Sequence, residues 1–362
     1  MTTFASLFVP AALRDAVCDR AWLQAMVESE HALARVCGRD VELDTSRLDL
    51  DAILADGRLV ANPVDPLVRA LREQSPDVHR GATSQDILDT AAMLVATRAT
   101  RLVVDELRAA EAAAVSLARA YRSTPMAART LLQQAVPTTF GYIAAQWTVA
   151  LRVSASALDS LRLPAQLGGA AGTLAAFGDE GLDVKARFAA EVGLRDPQLP
   201  WHTDRRPVAE LAAAVDAAAQ AAAKIGLDVV LLAQTEIGEV REASGGGSSA
   251  MPHKRNPARA VLARACARAA HAQAGLLTET GEYELQRAAG AWQAEWSALT
   301  ELLALGGGAV AAARECLEQL EVDTERMHTN MREELYSERD ALGGDGSYLG
   351  AAEAFVDSVL AS

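Results

Sequence analysis

Apolar residues return at every third or fourth position through four long stretches, Asp86 to Tyr121, Thr139 to Leu161, Glu210 to Glu242 and Ala258 to Leu277. This is the period of an amphipathic helix, and almost no Gly or Pro interrupts it. In the third stretch Leu211, Val215, Ala218, Ala222, Ile225, Val229 and Leu232 form one stripe, while Asp216, Lys224 and Asp228 fall off it. A helix of about 30 residues is about 45 Å long, more than one compact domain needs. The pattern therefore predicts an all-α protein, a bundle of long helices that also pack against other subunits. No strand-rich region or internal repeat stands out. Shorter helices fill the first 80 residues or so, broken by "GRD", "ADGRLVANPVDP" and "EQSPDVHRGATSQD". The predicted domains are an N-terminal helical domain over 1–85, a central long-helix bundle over 86–335, and a short C-terminal piece over 336–362. In that last piece "ALGGDGSY" reads as a hinge and Ala351 to Leu360 as one short helix.

Composition sharpens this picture. Half of the 362 residues are hydrophobic, aromatics are only 4% and alanine is abundant, which suits closely approaching helices. The formal net charge of −14 argues against a nucleic-acid or anionic-membrane partner, since either demands a basic face. An anionic ligand must be met by local cations. Cys18, Cys37, Cys266 and Cys316 are widely spaced and form no CxxC pair, so they read as reduced thiols rather than a zinc site or a disulfide framework. The six histidines show no metal-ligand spacing, and no metal is expected. "MTTFASLFVPAALRD" lacks a basic leader region, and apolar runs such as "LLALGGGAVAAA" fall short of the roughly 18 residues that span a bilayer. A cytoplasmic protein without a membrane partner is the expectation.

Three stretches carry polar residues that a bundle does not need: "HRGATSQDILDT" from His79, "ARTLLQQAVPTTFG" from Ala128, and "SGGGSSAMPHKRNP" from Ser244. Each lies at the start or end of a long helix. The first is also what a helix cap looks like, with Thr83 or Ser84 followed by Asp86. The second, with Pro137 before two threonines, fits a helix-to-helix turn. The third is harder to explain structurally. It lacks the GK[ST] ending of a phosphate-binding loop, and Ala250 stands where a G-x-S-x-G elbow needs glycine. A linker has no need of Met251, Lys254 and Asn256 between two prolines.

"GGSSAMPHKRNP" resembles the signature loop of the fumarase/aspartase superfamily, and the other two stretches resemble that superfamily's first and second conserved regions in order. Within it, "VHRGATSQDILDT", "RTLLQQAVPTTFG", "QLGGAAGTLA", "MPHKRNP" and "GAWQAEW" are most similar to the 3-carboxy-cis,cis-muconate cycloisomerases. The resemblance covers roughly residues 1 to 330. It implies a fumarase/aspartase-like all-helical homotetramer with a central bundle from all protomers and active sites shared between subunits. Against that pattern, 336–362 is a remnant of a C-terminal domain that is longer in relatives.

The resemblance also implies a chemistry: loss or gain of a proton alpha to a carboxylate through an aci-carboxylate, with a group expelled from or added to the beta carbon, and no cofactor. Lys254 and Asn256 supply a cation and an amide donor, while Thr83, Ser84, Gln85 and Thr130 supply neutral donors for a small polycarboxylate. By resemblance Ser248 transfers the proton, Ser249, Met251 and Gln133 join the substrate contacts, and Arg287 and Trp147 line the pocket. Trp147 fits ordinary core equally well, and Trp292 and Trp296 read as packing residues. His79 is either a carboxylate contact or a cap residue, and His253 a loop residue.

One departure is informative. Leu131 and Val261 stand where most of the superfamily has a histidine and its glutamate partner, so both ends of the pair are aliphatic. A leaving carboxylate, of pKa about 4, needs no general acid. The implied activity is therefore conversion of 3-carboxy-cis,cis-muconate to a carboxymuconolactone in the protocatechuate branch of the beta-ketoadipate pathway. The alternatives are an adenylosuccinate-lyase-like C–N lyase releasing fumarate, or a non-catalytic structural member.

Overall fold

The computed structural model describes residues 4–244, 246–247, 251, 254–279 and 282–362. It is predominantly helical. The elements that matter for function are α1 (Asp19–Val36), α2 (Ser84–Ala120), the strands β1 (Pro125–Thr130) and β2 (Gln133–Thr139), α3 (Phe140–Asp159), α4 (Arg206–Leu232), β3 (Val240–Glu242), β4 (Gly246–Gly247), β5 (Arg255–Asn256), α5 (Ala258–Glu279), α6 (Ala291–Glu318), β6 (Leu320–Val322) and α7 (Ala352–Ala361).

The chain divides into two compact units. Unit 1 holds residues 1–102, 160–215 and 270–304, and unit 2 holds 103–159, 216–269 and 305–362. The long helices α2, α4, α5 and α6 each contribute residues to both. The stripe predicted along α4 is buried throughout, from Leu211 to Leu232. At about 1.5–3 kcal/mol for each large aliphatic side chain removed from water, that stripe is a major source of stability. Small residues let backbones close in: a Cβ on Gly226 of α4 would lie 2.7 Å from the Ala260 carbonyl of α5.

Two elements depart from the sequence pattern. α4 ends at Leu232 rather than continuing to Glu242, because the chain turns at Gly238 (φ 62°) and Val240–Glu242 pairs with Leu320–Val322 as antiparallel β3 and β6. The second polar stretch is a β-hairpin rather than a helix-to-helix turn. β1 and β2 pair antiparallel, with Thr130 opposite Gln133 and a bulge between Ala127 and Arg129. The two turn residues, Leu131 and Leu132, both have positive φ, 50° and 64°, the backbone of a type I′ turn. Thr139 then caps α3 by accepting the Tyr142 N–H at 3.1 Å.

α6 is the one described helix long and apolar enough to cross a bilayer, which the count of unbroken apolar residues missed, but 67% of its apolar window is buried inside the protein, as in a core helix. α7 follows the predicted short helix and packs on α3. There Phe355 meets the Tyr142 ring at 5.8 Å, and Asp357 accepts two hydrogen bonds from Arg122 at 2.6 Å. None of the four cysteines forms a disulfide, and burial pushes the Cys266 thiol up to about 11.

Candidate active site

In unit 1 the first polar stretch is fixed by buried acids. α2 begins at Ser84, and Asp86, on its first turn, reaches back to accept the Thr83 N–H at 2.9 Å, half of a capping box. The same buried carboxylate accepts the N–H groups of Gly168 and Gly169 at 2.8 and 2.9 Å and meets His202 Nε2 at 2.7 Å. Asp86 thus ties "GATSQD" to "QLGGAAGTLA". Gly81 is required between them: its φ is 78°, and a Cβ there would lie 2.5 Å from the Phe177 ring.

Arg287 donates from Nη1 to Thr83 Oγ1 at 2.7 Å and from Nη2 to the Ala170 carbonyl at 3.1 Å. The structure thereby brings Thr83 and Arg287 together, with Ser84 next in the chain. Gln85 is fully buried, with Nε2 donated to the His202 carbonyl at 2.8 Å and Oε1 unpartnered, so it faces the interior of the unit. His79 has a left-handed backbone (φ 60°) and is held by Glu30 of α1.

One turn along α2, Asp89 binds the buried Arg205 through Nη1 at 2.7 Å and Nη2 at 3.0 Å. Glu295 of α6 takes Arg205 Nη2 at 2.6 Å. Trp292 donates its indole N–H to Asp89 at 2.9 Å, and the Tyr283 hydroxyl donates to Glu295. Burial alone would lower the Arg205 pKa, but the two carboxylates more than offset it and move it upward. Trp292 and Trp296 pack edge to face at 5.0 Å, as expected of packing residues.

In unit 2 the buried acids hold stems rather than tips. Glu239, fully buried, takes Arg129 in a fork at 2.7 and 2.9 Å and also accepts from Asn330 at 2.8 Å. Beyond Arg129 the hairpin tip is open: Thr130, Leu131, Leu132 and Gln133 are all exposed, Leu131 to 96%. Gln133 lines a polar cavity of about 610 Å³ together with Arg129, Gln134, Asn330 and Arg332.

The signature loop is likewise tied at its base. β4 pairs with β5, placing Gly246 opposite Asn256 and Gly247 opposite Arg255. Glu242, buried at the end of β3, accepts the Arg259 and Ala260 N–H groups at 3.2 and 2.9 Å, capping the start of α5. Lys254 donates its backbone N–H to the Met251 carbonyl at 3.0 Å, and both side chains are exposed. Ser248, Ser249 and His253 lie outside the described residues. Trp147 is packed in the unit 2 core, edge to face with Phe140 at 5.7 Å, and its indole N–H is given to Asp228 at 2.8 Å. Val261 sits half exposed on the first turn of α5.

Glu30, Asp86, Arg205 and Glu239 are the residues the sequence pattern did not single out for the site. Glu30 left one trace: it occupies an apolar-stripe position of α1, among Met26, Val27, Leu33 and Ala34, all buried.

A family model described as lyase matches residues 47–271. The chain is 45% identical over 351 residues to the nitrosuccinate lyase of Streptomyces davaonensis, covering 87% of this chain and 74% of the relative. It is 39% identical over 355 residues to the 3-carboxy-cis,cis-muconate cycloisomerase of Bradyrhizobium diazoefficiens, covering 90% and 78%. The crystal structure of the 3-carboxy-cis,cis-muconate lactonizing enzyme from Pseudomonas putida superposes with a TM-score of 0.87 at 29% identity, over 99% of this chain and 98% of that one.

Proposed function

The chain belongs to the lyase family, the fumarase/aspartase superfamily, and from that premise we propose that it adds or expels a weakly basic group at the carbon beta to a substrate carboxylate, without a cofactor. The observation that carries this is the aliphatic pair Leu131 and Val261, which leaves no histidine–glutamate acid at either position. A group whose conjugate acid is as strong as a carboxylic acid departs unaided, whereas a hydroxide or an amine does not.

The specific reaction proposed is cycloisomerisation of 3-carboxy-cis,cis-muconate, in which the substrate's own carboxylate adds to the conjugated double bond. Ser248 transfers the proton at the alpha carbon, and Lys254 and Asn256 stabilise the aci-carboxylate. Thr83, Ser84, Thr130, Gln133, Ser249 and Met251 complete the substrate contacts, and Arg287 pairs with a substrate carboxylate beside Thr83. Gln85 and Trp147 shape the site from within the packed core. The proposed enzyme is cytoplasmic and a homotetramer with active sites shared between subunits.

A second reading has its own support, the 45% identity to a nitrosuccinate lyase. β-Elimination from nitrosuccinate expels nitrite, also a weak base, so Leu131 and Val261 suit both substrates. Purified protein is offered 3-carboxy-cis,cis-muconate, with loss of diene absorbance followed, and in parallel nitrosuccinate, with fumarate and nitrite followed. Turnover of the first supports cycloisomerisation. Turnover of the second alone replaces it with nitrite elimination, and turnover of neither overturns the assignment.

A further inference from the structure

Glu30 lies on α1, some fifty residues before the first polar stretch, and its side chain is completely buried. Both of its oxygens are taken by one residue: Oε2 accepts the backbone N–H of His79 at 2.9 Å, and Oε1 meets His79 Nδ1 at 2.6 Å. A carboxylate removed from water and given a single ionisable hydrogen-bond partner is costly unless that partner supplies a proton or a charge. The Nδ1 contact therefore calls for a proton on Nδ1, which fixes the ring's tautomer and its rotation.

The other ring nitrogen, Nε2, has no partner among the described residues, on a side chain that stays 14% exposed. The neighbouring charges are committed elsewhere, Asp77 pairing with both Arg39 and Arg80. The backbone is held as well: His79 has φ 60°, a left-handed conformation in which His is enriched along with Asn and Asp, and the Glu30 contact to its N–H fixes it there.

We propose that Glu30 is a positioning residue for substrate binding: it holds His79 in the Nδ1–H form and presents Nε2 to a substrate carboxylate. A carboxylate can only accept hydrogen bonds, so the bound state carries a proton on Nε2 as well, taken from solvent. The imidazolium then bridges two carboxylates, Glu30 inside and the substrate outside. This deepens the proposed function and rests on it for the identity of the substrate as a polycarboxylate.

The test begins with the resting protein. Magic-angle-spinning NMR of sedimented, 15N-histidine-labelled protein, with His79→Asn used to assign the signal among six histidines, is expected to show His79 protonated at Nδ1 and bare at Nε2. That is the reverse of the tautomer a free imidazole side chain favours. Saturation with tricarballylate, an inert tricarboxylate, should add a proton at Nε2. A resting His79 protonated at Nε2 alone, or a spectrum indifferent to tricarballylate, overturns the proposal. These readouts do not depend on turnover, so they stand or fall separately from the assignment of the reaction.

Kinetics give the second arm. Glu30→Gln should lose the Nδ1–H signature and raise KM by roughly 10- to 100-fold, the scale of a hydrogen bond to a charged group, with kcat changed far less. His79→Ala should do the same, and the double variant should be no worse than either single one. Additive losses, or a folded Glu30→Gln with unchanged KM, refute the pairing. If Glu30→Gln does not fold, Glu30→Asp retains the charge at shorter reach and should keep the tautomer with an intermediate KM; wild-type KM and a lost tautomer there count against it.

Discussion

The two halves of the candidate machinery are held in opposite ways. In unit 1 buried acids touch the candidate residues themselves: Glu30 grips His79, and Asp86 holds Thr83 while Arg287 closes on its hydroxyl. In unit 2 the buried acids Glu239 and Glu242 secure only the stems, one or more residues short of the chemistry. Thr130, Gln133, Met251 and Lys254 project beyond those stems into solvent. Unit 1 therefore fixes its polar groups before any ligand arrives, which lowers the ordering cost of binding. Unit 2 leaves its cation exposed, which suits a group that acts on a charge developing later. Stability and function should accordingly be coupled in unit 1 and separable in unit 2.

The largest effect is expected from Arg205→Met. It removes the guanidinium between Asp89 and Glu295 and leaves two carboxylates buried together. Breaking a buried ion pair at one end costs about 3–5 kcal/mol, measurable as a fall in unfolding free energy in a urea titration. The start of α2, with Thr83 just before it and Asp86 on its first turn, should lose order with it. An unfolding curve that does not move would show that the network is not what secures unit 1.

Lys254→Met addresses the other half. The side chain is exposed and no ion pair of it is present among the described residues, so stability should shift by no more than about 0.5 kcal/mol. Losing one preorganised stabiliser of a developing anion should nevertheless lower kcat/KM by roughly 10²–10³-fold. Asp86→Asn is the counterpart in unit 1 and should lose stability and activity together. If Lys254→Met were destabilising and still active, the contrast between the units would be reversed.

How far the chain announced all this depends on which interactions are local. The long helices were legible because their apolar stripes are periodic, and all seven residues of the predicted α4 stripe are buried. The N-terminal cap at Thr83 and Asp86 was legible because its partners are three residues apart. The end of α4 was not, since it is set by pairing of Val240–Glu242 with residues some 80 positions later. α6 was obscured by three consecutive glycines, Gly306 to Gly308, inside an otherwise helical pattern. The anchors of the site were least visible: Glu30 and His79 are 49 residues apart, and Arg205 and Asp89 are 116 apart. Nothing local marks an acid in an apolar stripe as the partner of a distant histidine.

The hairpin escaped for a different reason, and it gives the finest test of the comparison. A two-residue turn with positive φ at both positions normally carries Asn-Gly, yet here it carries Leu131 and Leu132, exposed to 96% and 70%. Each leucine in that conformation costs roughly 1–2 kcal/mol, and neither recovers it by burial in its own chain. Leu131→Asn combined with Leu132→Gly should therefore relieve strain, offset in part by the roughly 0.5–1 kcal/mol that glycine loses in chain entropy. The net expectation is a gain of about 1–3 kcal/mol in unfolding free energy, read in the same urea titration. If the tip serves the site as unit 2's other exposed groups do, the more stable variant should be the poorer enzyme, with KM raised and the stem contacts of Arg129 to Glu239 intact. A variant that is more stable and fully active would show that the tip leucines play no part in function, and one that is less stable would show that they are supported by contacts the hairpin makes outside its own turn.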